Sequence, residues 1–396
     1  MHLAVVDFRW SGHHTSYAAN IIELLLENEH KVTFVTSGEH KHIDSFADDP
    51  SLNIITVNTP EFIDKFFSIS NIGEIARSAY QLNRCFKQLS GINFDALHFL
   101  TIDYLSVPLV LNSPSQIDRP VIGTLHRDRQ FDPASIESDF KRLLATIHYS
   151  VSKRCFGRIL GSLVDEFITH SERMKERVVD NFQATESQVH TLRLPSSNID
   201  GTESEASPRR QVGLPSAKPI ILFFGELRHE KGPDILIDSL TKLDISATVV
   251  FAGEPVDYSQ EAVSRWQQEL PQNIDIVDEL AYVPESKLIL YFQSADVLVL
   301  PYRRRIGTSG LINFACATET HVIGPKNTDV GYHIQKFKLG DVFEYENPES
   351  LRGSLYSLLN SEEKYPTNGL QNFDPQEWEE DFLNYYKKLT SGYDIS

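Results

Sequence analysis

The feature that most constrains the fold of this chain is a regular alternation of short apolar runs with amphipathic helical stretches. The runs are continuous and rich in β-branched residues, which is typical of strands that are covered on both faces. The stretch 17–30 instead places Ile21, Ile22 and Leu25 on one helical stripe. Strands that alternate with helices predict an α/β fold with parallel sheets and right-handed crossovers. We expect strands at 2–8, 31–37, 53–58, 96–100, 120–126, 166–171, 189–195, 219–225, 247–253, 274–280, 297–302, 321–326 and 341–346.

The chain is long enough for two domains. It has 396 residues, whereas single hydrophobic cores stop growing at roughly 250–300 residues. Between about 196 and 218 the sequence is polar, rich in serine and proline and without an apolar period, which is typical of a linker. We therefore predict a first domain over 1–200, a linker over 201–218 and a second domain over 219–375.

The last segment, 376–396, is predicted to be a helix. It has Trp378, Phe382 and Tyr385 on one side, and an aromatic stripe of this kind requires a surface to pack on. The first domain is the candidate surface.

Composition excludes several classes of protein. Hydrophobic content is 41%, yet no apolar run approaches the roughly 18 residues of a membrane span, and the N-terminus does not have a signal-peptide pattern. The three cysteines are far apart without a CxxC pair, which argues against a disulfide framework or a zinc site and fits a reducing cytoplasm. The net charge of −18 argues against a nucleic-acid partner.

The sequence ILFFGELRHEKGPD (221–234) brings two cations to the end of a predicted buried strand. Gly225 permits a tight turn and a close approach of backbone to a ligand. Arg228 offers a planar fork and Lys231 a point charge, a combination that suits a pyrophosphate. The alternative is a strand-to-helix turn that carries two solvated cations, and the spacing alone leaves both open.

A second segment, LPYRRRIGTSGLINFACA, follows the strand predicted at 297–302. Thr308, Ser309 and Gly310 precede a small-residue helix that begins near Leu311. Free backbone N–H groups and the helix dipole favour an anion there. The segment lacks the lysine of a P-loop. The alternative is a helix cap on a flexible turn, with the arginines at 303–305 as surface charges.

Two segments of the first half also end predicted strands. Gly12 and His13 follow the first strand, where a glycine gives a close approach; the dinucleotide pattern GxGxxG is absent, and no third ligand suggests a metal site. His126 ends the strand predicted at 120–126, and His170 ends the one at 166–171. The ordinary interpretation of each is a satisfied histidine, although the carboxyl end of a parallel strand is where ligands bind.

The ordered set of segments resembles the GT-B glycosyltransferases of glycosyltransferase family 4, the group 1 glycosyltransferases. FFGELRHEKGPDIL is similar to the family's FxGxxRxxKGxDxL segment, and GTSGLINFACATETHVIG to an SG-rich form of its donor loop. FAGEP, YVPESKLILYFQSADVLVLPY, THSERMKERVV and SGHHTSYAANIIELLLENEHKVTFVTS resemble further family segments in the same order. The resemblance implies two Rossmann-like domains whose parallel sheets face each other across a cleft.

The resemblance also implies roles for residues. Arg228 and Lys231 match the basic residues that bind the donor diphosphate, with Gly225 in the same segment. Thr308, Ser309, Gly310 and Leu311 match the donor loop. Gly12, with His13 beside it, matches the glycine against the diphosphate. His126 matches a histidine that touches the donor sugar.

One departure concerns a pair of glutamates, with seven residues between them, that many family members carry in the donor loop. The matching positions here are Arg305 and Asn313. Asn313 retains groups that hydrogen-bond a ribose, whereas Arg305 cannot replace a carboxylate.

These observations predict a glycosyltransferase that moves a sugar from a nucleotide-diphosphate sugar to an acceptor hydroxyl without a metal or other cofactor. The resemblance implies that the transfer retains the anomeric configuration. The acceptor class stays open among glycans, lipid-linked molecules and small molecules. A catalytically inactive sugar-nucleotide-binding protein and a GT-B epimerase are the alternatives.

The basic, partly apolar segment 141–160 is interpreted as an ordinary amphipathic helix, or alternatively as a peripheral contact with the inner face of a membrane.

Overall fold

The computed structural model divides the chain into two compact units. The first consists of Met1–Ser197 together with Glu377–Ser396, and the second of Asn198–Gln376. The structure describes residues 1–9, 13–38, 43, 46–60, 71–112, 117–126, 143, 147, 150, 157, 163–182, 184–195, 207–303, 307–360 and 377–392.

The first unit is built on a seven-stranded sheet in which the neighbouring strands run parallel, in the order β3-β2-β1-β4-β5-β6-β7. Because β1 pairs with β2 on one side and β4 on the other, the strand order reverses at β1, where open parallel sheets bind ligands. The strands are β1 (His2–Asp7), β2 (Lys31–Thr36), β3 (Leu52–Thr56), β4 (Ala96–Phe99), β5 (Val121–Leu125), β6 (Glu166–Thr169) and β7 (Val189–Thr191).

Helices cover both faces of this sheet, as the continuous apolar runs predict. The edge strand β3 differs, because it has a neighbour on one side only and its Ile54 is 40% exposed. The described helices that precede the second unit are α1 (His13–Glu27), α2 (Asn71–Leu89), α3 (Ser106–Leu111) and α4 (Glu172–Phe182).

The C-terminal helix, which we number α12 (Glu377–Gly392), completes the first unit. Its aromatic side packs in the same core cluster as Leu3 and Val5 of β1 and as the buried residues of α1. The side chains of α12 that are buried there are Trp378, Phe382, Tyr385, Tyr386 and Leu389. The core of the first unit is therefore closed by residues that lie almost 200 positions beyond β7.

The second unit has a six-stranded parallel sheet in the order β10-β9-β8-β11-β12-β13. Here the order reverses at β8. The strands are β8 (Ile220–Phe224), β9 (Ala247–Ala252), β10 (Ile274–Glu279), β11 (Val297–Val299), β12 (His321–Pro325) and β13 (Gly340–Phe343). The described helices are α5 (Pro208–Gln211), α6 (Pro233–Leu240), α7 (Gln260–Glu269), α8 (Glu285–Ser294), α9 (Leu311–Ala317), α10 (Asp329–Phe337) and α11 (Pro348–Asn360). The prediction of two Rossmann-like α/β sheets is confirmed.

The segment predicted as a linker extends too far into the second unit. Arg209 on α5 donates from Nε to the carbonyl of Ser294 at 3.0 Å and from Nη2 to Asp296 at 2.7 Å. Leu214 is buried in the core beside Ile220. Residues 207–218 therefore belong to the folded second unit, and their Ser and Pro content misled the prediction because these few contacts leave no period in the sequence.

None of the helices in the described ranges combines the length and the apolar character that crossing a bilayer requires. The basic segment 141–160 lies outside the described residues except for positions 143, 147, 150 and 157.

Candidate functional site

The candidate site in the second unit begins with a sharp turn at the carboxyl end of β8. Gly225 has φ 105°, and its N–H donates to the carbonyl of Ala252 on β9 at 2.7 Å. Gly253, with φ 141°, packs directly against it, since a Cβ on Gly253 would lie 2.4 Å from the carbonyl carbon and oxygen of Gly225. Both positions favour glycine, because their φ values disfavour L residues. In addition, a Cβ at 253 would meet the backbone of Gly225.

The side chain of Lys231 lies over this glycine turn. Its Nζ is 2.6 Å from the place that a Cβ on Gly225 would take. In the part of the chain that the structure describes, no carboxylate oxygen lies within 4.0 Å of this ammonium and no hydrogen bond satisfies it. Among the described residues, the ammonium of Lys231 is thus a half-buried cation without a counter-charge at the carboxyl end of β8.

The turn that carries Lys231 is fixed against the end of β11. His229–Lys231 forms a 3₁₀ turn that ends at Gly232, which has φ 68°. A Cβ on Gly232 would lie 2.1 Å from the carbonyl oxygen of Pro301, so the two segments are in contact. Pro233 then starts α6, where its fixed φ and absent N–H suit the first helical position.

The sequence pattern leaves open whether Arg228 is a solvated cation. In the structure its guanidinium forms an ion pair with Glu226. Its Nε donates to Oε2 of Glu226 at 2.6 Å and its Nη2 to Oε1 at 3.3 Å. Both side chains are 42% exposed. The hydrogen bond that Arg228 donates to Glu226 raises the pKa of Arg228, with burial as the opposing effect.

Arg303 has a structural role instead of the surface role suggested for the arginines at 303–305. Its guanidinium donates to both carboxylate oxygens of Asp234, at 2.8 and 2.7 Å, and to the carbonyl of His229 at 2.7 Å. Glu346 lies 3.3 Å from its Nε. Burial raises the pKa of Asp234, but the hydrogen bonds and charge of Arg303 outweigh it and lower that pKa. Arg303 therefore clamps the turn that carries Lys231 to β11; Arg304 and Arg305 lie outside the described residues.

The predicted donor loop approaches the same end of β11. Gly307 has φ 96° and donates its N–H to the buried carboxylate of Asp329 at 2.8 Å. The hydroxyl of Ser309 lies 3.2 Å from that of Tyr302. Because Tyr302 follows Pro301, this bond connects the loop with the segment on which Gly232 packs.

The start of α9 presents a row of backbone donors. The N–H groups of Ser309, Gly310 and Leu311 donate no hydrogen bond within the described ranges. Thr308 is half-buried and Gly310 is exposed. Asn313 is only 5% exposed, so its amide is much less accessible than a ribose-binding role requires in this conformation.

In the first unit, His126 lies at the carboxyl end of β5 and is 7% exposed. Its Nε2 donates to the carbonyl of Leu100 at 2.8 Å, and its backbone N–H donates to Asp103 at 3.1 Å. Its ring is edge-on to Tyr17 at 4.7 Å and lies 5.0 Å from the ring of His170. Gly12 lies outside the described residues, and His13 is described only as the first residue of α1.

Asp7 is a buried group of this region that sequence reasoning missed. It ends β1, is 2% exposed, and accepts a hydrogen bond from the backbone N–H of Arg9 at 2.9 Å. Burial raises the pKa of Asp7 to about 8, against the opposing effect of the bond to Arg9. The sequence contains a signal for this group, since a carboxylate near the end of the apolar run HLAVVDF is expected to be buried with the strand.

Residues 205–368 match the family described as glycosyl transferases group 1. The matched range contains the turn at Gly225, both site arginines, Lys231 and the loop that begins at Gly307. The chain carries a group 1 glycosyl transferase domain. His126 and Asp7, which belong to the first unit, lie before this domain in the sequence, and the helix α12 of the same unit lies after it.

Relatives in sequence match part of the chain. The D-inositol 3-phosphate glycosyltransferase of Corynebacterium urealyticum is 23% identical over 214 residues, which is 50% of this chain and 50% of that protein. The protein of the same name from Mycolicibacterium smegmatis is 26% identical over 160 residues, 39% of this chain and 36% of that protein. The chain thus spans about half the length, or less, of the curated relatives it matches.

Solved structures resemble the whole chain in fold. WaaG, a glycosyltransferase involved in lipopolysaccharide biosynthesis, has a TM-score of 0.70 at 15% identity and covers 97% of this chain and 99% of its own. Anabaena Alr3699/HepE in complex with UDP-glucose has a TM-score of 0.69 at 14% identity, with 98% and 100% covered. With the two parallel sheets, these likenesses show that the group 1 domain is part of a GT-B fold.

Proposed function

We propose that this protein transfers a sugar from a nucleoside-diphosphate sugar to an acceptor hydroxyl. The observation that carries the proposal is the ammonium of Lys231, held over Gly225 without a counter-charge in the described residues. Holding such a cation in place is unfavourable unless an anion binds there, and a diphosphate is an anion of suitable charge. The group 1 domain match supports the same conclusion.

The proposed chemistry places positive groups where negative charge develops. As the bond from the anomeric carbon to the leaving oxygen breaks, the diphosphate gains charge. Lys231, the open edge of Arg228 and the N–H groups at 309–311 would stabilise that charge without reorganising. The protein itself thus supplies the electrostatic stabilisation, and we propose that no metal ion is needed for it.

His126 is proposed to contact the donor sugar, with its side chain acting as a fixed group. Its Nε2–H donates to the carbonyl of Leu100, which fixes the orientation of the ring. Retention of configuration is part of the proposal, and its support is the resemblance to family 4.

The donor base and the acceptor are proposed by class. The Anabaena structure that shares this fold is a complex with UDP-glucose, which supports a uridine nucleotide as the first donor to test. Glycans, lipid-linked molecules and small molecules such as phosphorylated polyols form the acceptor panel, the last because the sequence relatives are D-inositol 3-phosphate glycosyltransferases.

Calorimetric titration of nucleoside diphosphates into wild-type, Arg228→Ala and Lys231→Ala protein tests the proposal. We expect each substitution to weaken binding of the diphosphate, because each removes a charge-assisted contact. Lys242→Ala is the matched control, since it removes an equal charge from an exposed position of the same unit. Equal affinity of all four proteins for every nucleoside diphosphate would contradict the proposal.

Turnover separates the proposal from its alternatives. Incubation with a sugar nucleotide and the acceptor panel should release nucleoside diphosphate and a glycosylated acceptor, and loss of one site cation should slow this by roughly 10²–10³-fold. An altered sugar nucleotide formed without any acceptor would indicate an epimerase instead. Tight binding with no turnover on the whole panel would indicate a binding protein.

A further inference from the structure

The guanidinium of Arg228 is held on one edge only. Glu226 accepts from Nε at 2.6 Å and from Nη2 at 3.3 Å, so the pair uses the side edge of the planar fork. The other edge, formed by Nη1 and the second hydrogen of Nη2, has no acceptor within the described part of the chain. An arginine presents five N–H donors in a fixed geometry, and three of them remain for a ligand here.

The backbone between the two side chains explains why they meet. Leu227 is fully buried, its N–H donates to the carbonyl of Glu254 at 2.8 Å, and its carbonyl accepts from Asp257 at 3.0 Å. Leu227 packs in the core, and the N–H of Arg228 donates to the carbonyl of Glu226 at 2.9 Å. The backbone therefore makes a tight three-residue turn at Leu227, which brings the residues on either side of it close together. The position of Glu226 is thus set by a residue in the core and not by a flexible loop.

Arg303 of the same unit is an example of an arginine whose guanidinium has acceptors on several sides. It contacts Asp234 twice, the carbonyl of His229 and the carboxylate of Glu346. In the described part of the chain, no comparable set of partners surrounds Arg228. Of these two arginines, Arg228 alone combines a fixed orientation with an open donor edge.

We propose that Glu226 is a positioning residue for the anion site: it holds the fork of Arg228 so that the open edge meets the diphosphate. The inference rests on the proposed function. Its physical basis is that a long side chain loses rotamer freedom when it binds a ligand, and a partner that has already immobilised it removes that cost from binding.

The two effects of Glu226 on an anionic ligand have opposite signs, which makes the proposal testable. Its carboxylate repels a diphosphate, so electrostatics alone predicts that removing it tightens binding. Positioning predicts that removing it weakens binding. We expect positioning to dominate, with Glu226→Ala weakening diphosphate binding about 3- to 10-fold, the equivalent of one re-mobilised side chain.

The experiment is calorimetric titration of the full chain with UDP, GDP, ADP and TDP, and with the matching nucleosides. Glu226→Gln should fall between wild type and Glu226→Ala, because an amide keeps one acceptor oxygen. Glu230→Ala is the matched control: Glu230 is exposed and raises the pKa of Arg228 by charge without a hydrogen bond, so its loss should leave binding unchanged or slightly tighter. Nucleoside affinity and the melting temperature should not change, which separates positioning from general damage.

A double substitution completes the test. If Glu226 acts through Arg228, adding Glu226→Ala to Arg228→Ala should weaken binding no further. Tighter or unchanged diphosphate binding by Glu226→Ala, or additive losses in the double variant, overturns the role of Glu226 while leaving the proposed function intact, provided that Arg228→Ala itself weakens binding. Absence of diphosphate binding in the wild type overturns both.

Discussion

At the scale of single residues, the candidate site depends on contacts that leave no space for a methyl group. Gly253 packs on Gly225, and the ammonium of Lys231 occupies the position where a side chain at 225 would begin. The position of the Lys231 ammonium therefore depends on the absence of side chains at 225 and 253 as well as on the backbone hydrogen bonds of its turn.

Gly225→Ala should damage the site more than the fold. Its Cβ would meet Nζ of Lys231 at 2.6 Å, and φ of 105° is strained for alanine. We expect the ammonium to move and diphosphate affinity to fall about 10-fold or more, with roughly 1–3 kcal/mol lost in stability. Calorimetry and denaturant unfolding measure the two effects.

Gly353→Ala is the control for this change. It lies in α11 with no atom within 4 Å of the added Cβ, so it should stabilise the protein by about 0.5–1 kcal/mol and leave diphosphate binding unchanged. An equal loss of binding in both variants would refute the explanation from local geometry.

Arg303→Ala tests the clamp on the turn that carries Lys231. The substitution leaves the half-buried Asp234 without its two charge-assisted hydrogen bonds, and we expect a loss of about 1–3 kcal/mol in stability together with weaker diphosphate binding. Arg352→Ala, which breaks only a bond to the exposed Glu349, should change stability by less than about 0.5 kcal/mol. Equal melting temperatures for the two variants would contradict the clamp.

At the scale of elements, the helix α12 joins the first unit through a buried polar pair as well as through its aromatic stripe. The hydroxyl of Tyr386 lies 2.7 Å from Nδ1 of His98, and Nε2 of His98 lies 2.8 Å from the hydroxyl of Thr124. Burial, and then the charge of His126, lowers the pKa of His98 to about 3. The pair thus connects α12 with β4 and β5 through a ring that stays neutral.

Tyr386→Phe should therefore destabilise the first unit by about 1–3 kcal/mol, because it deprives a buried ring nitrogen of its partner. Tyr356→Phe on α11, where the ring is 51% exposed, should have an effect within about 0.5 kcal/mol. Denaturant unfolding followed by tryptophan fluorescence is suitable, since Trp378 is buried on α12. A loss no larger than that of the control would show that the helix is held by apolar packing alone.

At the scale of the whole molecule, the buried carboxyl group of Asp7 makes stability depend on pH. In the unfolded chain this carboxyl group has its ordinary pKa of 3.8, whereas in the folded chain burial raises the pKa to about 8. Between these values the unfolded state binds fewer protons, so the contribution of Asp7 to stability is complete below about pH 4 and is lost as the pH rises to 8.

Asp7→Asn should remove this dependence, because an amide does not ionise. We expect the variant to be more stable than wild type at pH 8, by about 1–3 kcal/mol, and the difference to shrink towards pH 4. Thermal melting of both proteins at several pH values measures it. A difference that is constant over the pH range would mean that Asp7 is ionised in the folded protein.

The sequence alone determined the elements and the class of fold. Every apolar run predicted as a strand overlaps an observed strand, from His2–Asp7 to Gly340–Phe343. A buried parallel strand can be predicted in this way because its pattern is local and is carried by a few consecutive residues. The glycines and basic residues at the end of β8 were equally visible, since a strand that ends in a tight turn also leaves a local signature. Residues 207–218 were misassigned because their few tertiary contacts leave no such pattern.

Only the tertiary structure decided which charged groups are available. Arg228 and Arg303 both follow a buried strand, and no local pattern distinguishes them. Yet the guanidinium of Arg303 is paired with Asp234 and Glu346, which are distant in sequence. Glu226 occupies only one edge of the guanidinium of Arg228. In the same way, α12 packs on strands and helices that are far from it in sequence. The burial of Asp7 also depends on the tertiary structure. Burial and ion pairing depend on which segments meet in space, and this is the information that short stretches of sequence do not contain.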